Sequence, residues 1–234
     1  MKHRLHYAAL IFLAIFCVLP IVVMFVTSLK LQTQIFNTGI NFIFTPTLQN
    51  YRDVLNEGGF MRYLGNSLVV GLASTLITLV LGCMAAYGLS RFSYGWKNYK
   101  NPDIIFFFIS QRIMPPAVLA VPFFILLKSL HLLDTKLGLV LVLTSGLMPI
   151  VVWLLVDFFN QLPKEIDEMA MLEGCNPFEA FVRTILPLSK PGLTVAGMFS
   201  IIFGWNDLFF ALVLTFTNVQ TLPVAVVALN GTVT

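Results

Sequence analysis

Residues 5–29, LHYAALIFLAIFCVLPIVVMFVTSL, form a run without a single Lys, Arg, Asp or Glu. A helix of about 20 apolar residues crosses the ~30 Å hydrocarbon core of a bilayer. This run is too long for the apolar part of a cleaved signal peptide, and no small-x-small cleavage site follows it. We therefore expect it to remain in the protein as a membrane-spanning helix.

Similar charge-free runs follow at 63–90, 137–156, 191–206 and 208–234. The chain is 58% hydrophobic and only 11% charged, whereas an ordinary soluble domain is about 25% charged. The runs are continuous and do not alternate with period two, which indicates helices and not a β-barrel. We predict an all-α, polytopic transmembrane helical bundle in one domain, residues 1–234. Its five spans are expected at 7–29, 64–90, 103–127, 137–160 and 192–216.

Basic residues predict the orientation of the chain. Lys2 and Arg4 precede the first span, and Arg91, Lys97 and Lys100 follow the second. Because cytoplasmic loops carry an excess of Lys and Arg, we expect the N-terminus in the cytoplasm.

With that orientation, residues 30–62 and the turn around Asp134 lie outside, and the loop at 161–191 is cytoplasmic. Residues 217–234 emerge outside after the fifth span and do not return. This odd number of crossings indicates that a final helix is missing.

The 161–191 segment differs from the rest of the chain because it holds five of the eleven acidic residues. Pro163 suits a first helical turn, and Ile166, Met169 and Ala170 recur at helical spacing. Gly174 predicts the end of this helix, since glycine readily takes the left-handed conformation that closes a helix.

A second short helix is predicted after Gly174. Asn176 is a candidate N-cap with Pro177 and Glu179 at the first and third helical positions, which is a capping box. The apolar face of the helix comprises Phe178, Phe181, Val182, Ile185 and Leu186. Pro187 and Pro191 prevent the helix from running straight into the next span.

Two short helices, apolar on one side and acidic on the other, favour docking into a groove of a partner protein. The alternative is a loop that lies on the membrane surface. Interfacial helices usually carry Lys and Arg on their polar face, and this segment is acidic there. The pattern therefore favours docking.

The spacing of Glu168, Ala170, Gly174, Leu186 and Pro187 resembles the EAA loop of binding-protein-dependent ABC importers. Met169 replaces the first Ala of that pattern, and Thr184 stands where Ile is usual. Nearly all of the chain is similar to the carbohydrate-importer permeases of the maltose type, a family of the type I ABC importer fold that usually has six spans. The similar segments are NYRDVL from Asn50, NS from Asn66, AAYGLSRF from Ala85, SQRIMPP from Ser110, GWND from Gly204 and TLP from Thr221.

The resemblance implies a permease subunit in the bacterial inner membrane and not an enzyme. The chain has no GxxxxGK[ST] motif, so ATP and Mg²⁺ are expected on a separate nucleotide-binding subunit, present in two copies, and no cofactor on this chain. A second, homologous permease would form the other half of the pathway. A solute-binding protein would deliver a sugar, polyol or glycoside at the outer face. The residues that the resemblance assigns to coupling with the ATPase are Glu168, Ala170, Gly174, Phe178, Leu186 and Pro187.

Two charges within predicted spans are candidates for the pathway. Arg112 and Asp207 each cost about 2.5–3.5 kcal/mol in hydrocarbon, so each should face a cavity or a partner. One interpretation has them border the pathway, with Trp205 stacking on a sugar ring. The other has them form an interhelical or intersubunit ion pair that only holds the bundle together. The candidate pathway residues are Gln111, Arg112, Trp205, Asn206 and Asp207.

Smaller polar features of the second span are predicted to serve packing. Ser and Thr in membrane helices usually bond their own backbone or a neighbouring helix, which covers Asn66, Ser67, Ser74, Thr75 and Thr78. Gly71 and Gly82 are predicted as positions of close helix contact.

Other function classes remain as alternatives or are disfavoured. A secondary transporter driven by an ion gradient would show internal repeats with broken helices in matching positions, and only one break, near Pro115, is visible. A permease for a non-carbohydrate solute is a further alternative. A membrane enzyme would need a catalytic cluster, which the sequence lacks.

Metal and nucleic-acid binding are also disfavoured by the sequence. The cysteines and histidines show no metal-ligand spacing. A net charge of +3 is too small to favour nucleic acid.

Overall fold

The computed structural model describes residues 2–35, 44–56, 59–94 and 100–231. Its regular secondary structure in these ranges is helical, which confirms the predicted all-α fold. The chain divides into two compact units, Met1–Met61 and Arg62–Thr234. Three helices are long and apolar enough to cross a membrane alone, and the number rises to five if each of two bent helix pairs is one span.

The first unit contains the predicted first span. Its helices are α1 (Lys2–Ser28), α2 (Gln32–Ile35) and α3 (Gln49–Asn56). The Asn50 amide nitrogen donates to the carbonyl oxygens of Ser28 at 2.9 Å and Lys30 at 2.7 Å. These bonds fix the start of α3 against the end of α1.

The remaining helices run from α4 to α13. Their bounds are α4 (Phe60–Arg91), α5 (Asn101–Ile113), α6 (Pro116–Ser129), α7 (Lys136–Gln161), α8 (Glu165–Leu172), α9 (Pro177–Ala180), a π-helical turn (Phe181–Ile185), α10 (Leu186–Leu188), α11 (Lys190–Trp205), α12 (Phe209–Leu214) and α13 (Leu222–Gly231). Both α5 and α11 pack against α7. The α7 side chains of Val151, Val152, Leu155 and Phe159 are fully buried.

The third predicted span is a broken helix. α5 and α6 meet at a bend of 95°, and the bend lies at Met114 and Pro115, between the two helices. Pro lacks the N–H that would continue the helical bonding, and Pro116 begins the second half at the position where Pro is tolerated. The break expected near Pro115 is confirmed. Lys97, which contributed to the predicted orientation, lies outside the described residues.

The fifth predicted span, 192–216, is wrong as a single helix. α11 ends at Trp205, and the short α12 begins only at Phe209. The Asn206 side chain donates to the Ile202 carbonyl at 2.7 Å, and an Asp207 carboxylate oxygen accepts from the Ala211 N–H at 3.1 Å. The Ile202 carbonyl also accepts from the Asn206 N–H. Both polar side chains therefore bond backbone groups at the break between the two helices, as such short side chains commonly do.

Close contacts between helices bear out one of the two glycine predictions. A Cβ on Gly82 would lie 2.7 Å from the Cγ1 atom of Val151, so α4 approaches α7 closely there. A Cβ on Gly71 would meet nothing within 4 Å, and the prediction of a close contact at that position is wrong.

The polar residues of α4 have two roles. Ser74 donates to the Gly71 carbonyl and Thr78 to the Ser74 carbonyl, which confirms that these hydroxyls bond their own backbone. Nearer the start of α4, the Ser67 hydroxyl accepts from the Leu222 N–H at 2.7 Å, and Asn66 donates to the Gln220 carbonyl at 3.0 Å. These two residues therefore hold the connection between α12 and α13.

Asp134 holds the same connection from the other side. Its carboxylate accepts from the backbone N–H groups of Phe216, Thr217, Asn218 and Val219, at 2.9–3.2 Å. Burial alone would raise the pKa of this carboxyl, but the four backbone donors outweigh burial and hold the pKa below its ordinary value.

We expect Asp134→Asn to lower the free energy of unfolding by about 1 kcal/mol, because bonds to a charged acceptor are lost at a partly exposed site. Since the folded-state pKa is depressed, the contribution is complete above the ordinary Asp value of 3.8. It disappears as the pH falls through the folded-state value. Thermal midpoints in detergent should thus differ between wild type and variant at pH 5–7 and converge at lower pH. A difference independent of pH would contradict this role.

A helix also occupies the C-terminal region that the sequence assigned to a non-returning tail. α13 covers Leu222–Gly231, and Val224 and Ala225 are buried against the rest of the second unit. The prediction that residues 217–234 do not return across the membrane stays a prediction, since this ten-residue helix is not among the candidate spans.

Candidate functional site

The end of the first short helix in the 161–191 segment and the start of the second agree with the predicted capping residues. α8 ends at Leu172, and Gly174 takes a φ of +95°, in the left-handed region that favours glycine. The Asn176 side chain accepts from the Glu179 N–H at 2.9 Å, and Glu179 accepts from the Asn176 N–H at 3.0 Å. The helix end, the bend and the capping box are confirmed.

The second short helix is not the regular helix that was predicted. After α9 it passes into the π-helical turn Phe181–Ile185, which shifts the register of the side chains. Phe181 and Ile185 are buried, while Phe178 and Val182 are exposed. The single apolar face predicted for this helix is therefore wrong, because its members divide between the core and the surface.

The acidic side is confirmed for most of its members. Glu165, Glu168 and Glu173 are exposed. Asp167 is the exception, because its side chain is only 7% exposed. This carboxylate faces the inside of the chain and takes no part in the acidic surface.

Apolar side chains stand beside the acidic ones on the outer side of the segment. Met169, Leu172 and Phe178 are 60%, 88% and 62% exposed. We call these three residues the exposed ridge. A cluster of large apolar side chains on a polar segment is a typical protein-interaction surface.

The six predicted coupling residues lie on both sides of the segment. Glu168, Gly174, Phe178 and Pro187 are exposed, Leu186 is half-buried, and Ala170 is buried. Ala170 and Leu186 thus belong to the inner side, which packs on the rest of the chain. The other four are accessible to a partner.

A buried ion pair that the sequence did not predict attaches this inner side to the helical bundle. The Nε atom of Arg91, the last residue of α4, lies 2.8 Å from an Asp167 carboxylate oxygen. The Tyr87 hydroxyl donates to the other Asp167 oxygen at 2.7 Å. The available signal was the i, i+4 spacing of Tyr87 and Arg91, which places both on one face of α4.

Four of the five predicted pathway residues line one cavity of about 600 Å³. The cavity lies at the break between α5 and α6 and at the break between α11 and α12. Its polar lining includes Gln111, Arg112, Asn206 and Asp207. Trp205, the fifth predicted residue, is half-buried and is not among the lining residues.

The suggested ion pair between Arg112 and Asp207 is not formed, although both residues lie within the described ranges. Arg112 instead donates to the Gly146 carbonyl at 3.4 Å, and its guanidinium lies 4.8 Å from the centre of the Phe203 ring. Asp207 accepts from the Ala211 N–H. Both charges therefore border the cavity with local partners, and the interpretation as a mutual ion pair is wrong.

No cluster of three or more His, Cys, Asp or Glu side chains suited to a metal ion occurs within residues 2–35, 44–56, 59–94 and 100–231.

Comparison with known families gives a match over most of the bundle. A family model described as "Binding-protein-dependent transport system inner membrane component" matches residues 78–227. This range contains the cavity and the whole 161–191 segment.

Three relatives illustrate the similarity. The trehalose transport system permease protein SugB of Mycobacterium tuberculosis is 34% identical, over 92% of this chain and 77% of that protein. The sulfoquinovosyl glycerol transport system permease protein SmoH of Agrobacterium fabrum is 30% identical, over 91% of this chain and 74% of that protein. The trehalose/maltose transport system permease protein MalG of Thermococcus litoralis is 30% identical, over 94% and 79%.

Among solved structures, this chain is similar to a chain from the crystal structure of a bacterial ABC transporter involved in the import of the acidic polysaccharide alginate. The TM-score is 0.74 and the identity 21%, over 97% of this chain and 78% of that one. This likeness confirms the transmembrane permease fold.

Proposed function

Because this chain belongs to the family of binding-protein-dependent transport system inner membrane components, we propose that it lines half of a solute pathway and couples it to a separate ATPase subunit. The chain is a multi-pass membrane permease of the ABC importer class and not a catalytic subunit.

The exposed ridge is the observation that carries the coupling role. Burying Met169, Leu172 and Phe178 in a partner would remove large apolar side chains from water, which is favourable. Glu165, Glu168 and Glu173, which lie in or directly after α8, are also exposed and add negative charge. The complementary surface is an apolar groove with a basic rim, and we assign it to the nucleotide-binding subunit, which also holds ATP and Mg²⁺.

The way the segment is attached supports the same role. Its inner residues Ala180, Phe181 and Ile185 are buried, and α10 and α11 are joined by a sharp bend, with 79° between the helices Pro177–Leu188 and Lys190–Trp205. A segment that is packed against the bundle on one side and exposed on the other can transmit the movement of a bound partner to the membrane helices to which it is joined.

The cavity supports a polar organic solute. Its walls are mostly apolar, and a few polar groups, among them Gln111, Asn206 and Asp207, project into the same space, as is typical of sites for small organic solutes. Together with the relatives that are named for trehalose and maltose, this favours a carbohydrate-type solute. Gln111, Arg112, Asn206 and Asp207 are our pathway residues, while Trp205 is retained only as a neighbour of the pathway.

The assembly we propose contains one further homologous permease, two ATPase subunits and an extracytoplasmic solute-binding protein. It lies in the bacterial inner membrane, with the N-terminus of this chain and the 161–191 segment in the cytoplasm. Lys2, Arg4 and Lys100 support this orientation.

Reconstitution tests the proposed function. Proteoliposomes containing this chain, the second permease and the ATPase should take up sugar only with ATP on the cytoplasmic side and the binding protein on the other. Liposomes with this chain alone should show no uptake under a proton or sodium gradient. Gradient-driven uptake by the chain alone would establish the alternative, a secondary transporter.

A further inference from the structure

The ion pair between Arg91 and Asp167 is unusual for its burial. The two side chains are 5% and 7% exposed, and the Nε to Oδ2 distance is 2.8 Å. The other ion pair within the described ranges, Arg183 with Glu179, has a distance of 4.0 Å and side chains 69% and 39% exposed. Only the first pair is shielded from water, so the attraction between its charges is stronger than that of the exposed pair.

The surroundings of the buried pair are apolar and aromatic. The Tyr87 ring centre lies 4.6 Å from that of Phe181 and 6.0 Å from that of Phe159. The whole cluster belongs to the main hydrophobic core. In such surroundings each charge is costly without its partner, so the pair holds its two helices in one register.

Three chain segments meet at the Arg91 guanidinium. Arg91 is the last residue of α4, its Nη2 atom donates to the Leu162 carbonyl at the end of α7 at 3.1 Å, and its Nε atom faces Asp167 in the first turn of α8. A cation at the C-terminal ends of two helices and an anion at the N-terminal end of a third both agree with the helix dipoles. The charges therefore join the segment to two membrane helices at one point.

We propose that Arg91, Asp167 and Tyr87 are positioning residues that convert movement of the 161–191 segment into movement of α4 and α7. This inference rests on the proposed coupling function. Apolar contacts such as Tyr87 with Phe181 are not directional and allow one surface to slide over the other. The hydrogen bonds from Tyr87 to Asp167 and from Arg91 to the Leu162 carbonyl are directional, and the buried opposite charges resist separation. Together they oppose sliding when an ATPase subunit moves the segment.

The test measures solute transported per ATP hydrolysed in the complete reconstituted transporter. We expect Asp167→Asn to leave the ATPase subunits bound, since the exposed ridge is unchanged, and to lower the transport-to-hydrolysis ratio at least tenfold. Tyr87→Phe, which keeps the ring and the ion pair, should lower the ratio about threefold. Asp167→Glu keeps a carboxylate and should recover part of the loss.

Asp157→Asn is the matched control, because Asp157 is an exposed carboxylate near the same end of α7. It should keep the wild-type ratio. A proportional fall of transport and hydrolysis in Asp167→Asn, with the ratio preserved, would show a structural role only and overturn the proposal. If Asp167→Asn does not assemble, a wild-type ratio in Tyr87→Phe overturns it. Failure of the proposed function itself is recognised separately, because the wild-type chain would then neither bind the ATPase nor transport with ATP.

Discussion

Phe178→Asp should abolish assembly with the ATPase subunit and reduce ATP-driven uptake roughly 100-fold, because a central aromatic anchor of an interface commonly contributes 2 kcal/mol or more and a charge adds a desolvation cost. Phe178 is 62% exposed in the isolated chain, so the variant should still fold. The measurement is copurification of the ATPase subunit from detergent-solubilised membranes, with uptake measured in parallel.

Two further variants separate docking from folding. Leu172→Asp changes the most exposed residue of the ridge, at 88%, and should have the same effect as Phe178→Asp. Leu55→Asp changes an exposed residue of α3, 51% exposed, outside the 161–191 segment, and should leave ATPase binding unchanged. Normal ATPase binding by both ridge variants would remove the ridge from the docking surface.

Gly138→Ala should destabilise the protein by about 3 kcal/mol, since enlarging a tightly packed site commonly costs 1–3 kcal/mol and here the obstacle is backbone. A Cβ at Gly138 would overlap the carbonyl oxygen of Leu132. Thr135 caps α7 at this point by accepting from the Gly138 N–H at 3.0 Å and donating to the Leu132 carbonyl at 2.7 Å. The added methyl group would break this turn, which can be followed as a fall in the thermal midpoint and in the yield of monodisperse protein.

Gly71→Ala is the matched control for Gly138→Ala. Gly71 is also a buried helical glycine, but a Cβ there meets nothing within 4 Å. Its replacement should be neutral or stabilise the helix by up to ~1 kcal/mol, the difference in helix propensity between Gly and Ala. Equal destabilisation by the two variants would contradict the assigned contact.

Features governed by local chemistry could be predicted from the sequence. The left-handed Gly174 follows from a helix that must stop, and the reciprocal Asn176 and Glu179 bonds follow from residues three positions apart. The charge-free runs likewise predicted the spans α1, α4 and α7, because hydrocarbon thickness alone fixes the length of such helices.

Features that depend on tertiary packing could not be predicted. The π-helical turn after Ala180 was not visible in the sequence. Regular helical spacing placed Phe178 and Val182 on the buried face, and both are exposed. Asp167 has the same sequence context as its exposed neighbours, and only the approach of Arg91 and Tyr87 explains its burial. To predict that α11 ends at Trp205, one would have to know that Asn206 and Asp207 bond nearby backbone groups and not a partner across the bundle.

Site-specific photo-crosslinking at position 172 tests the central claim most directly. A photoreactive amino acid replaces Leu172, whose side chain is 88% exposed, in membranes that contain the complete transporter. If the 161–191 segment is the ATPase docking site, the main adduct should contain the ATPase subunit, and the same probe at Leu55 should give none. A probe at 172 that crosslinks only to lipid, in membranes that import solute with ATP, would contradict the account and place the segment on the membrane surface.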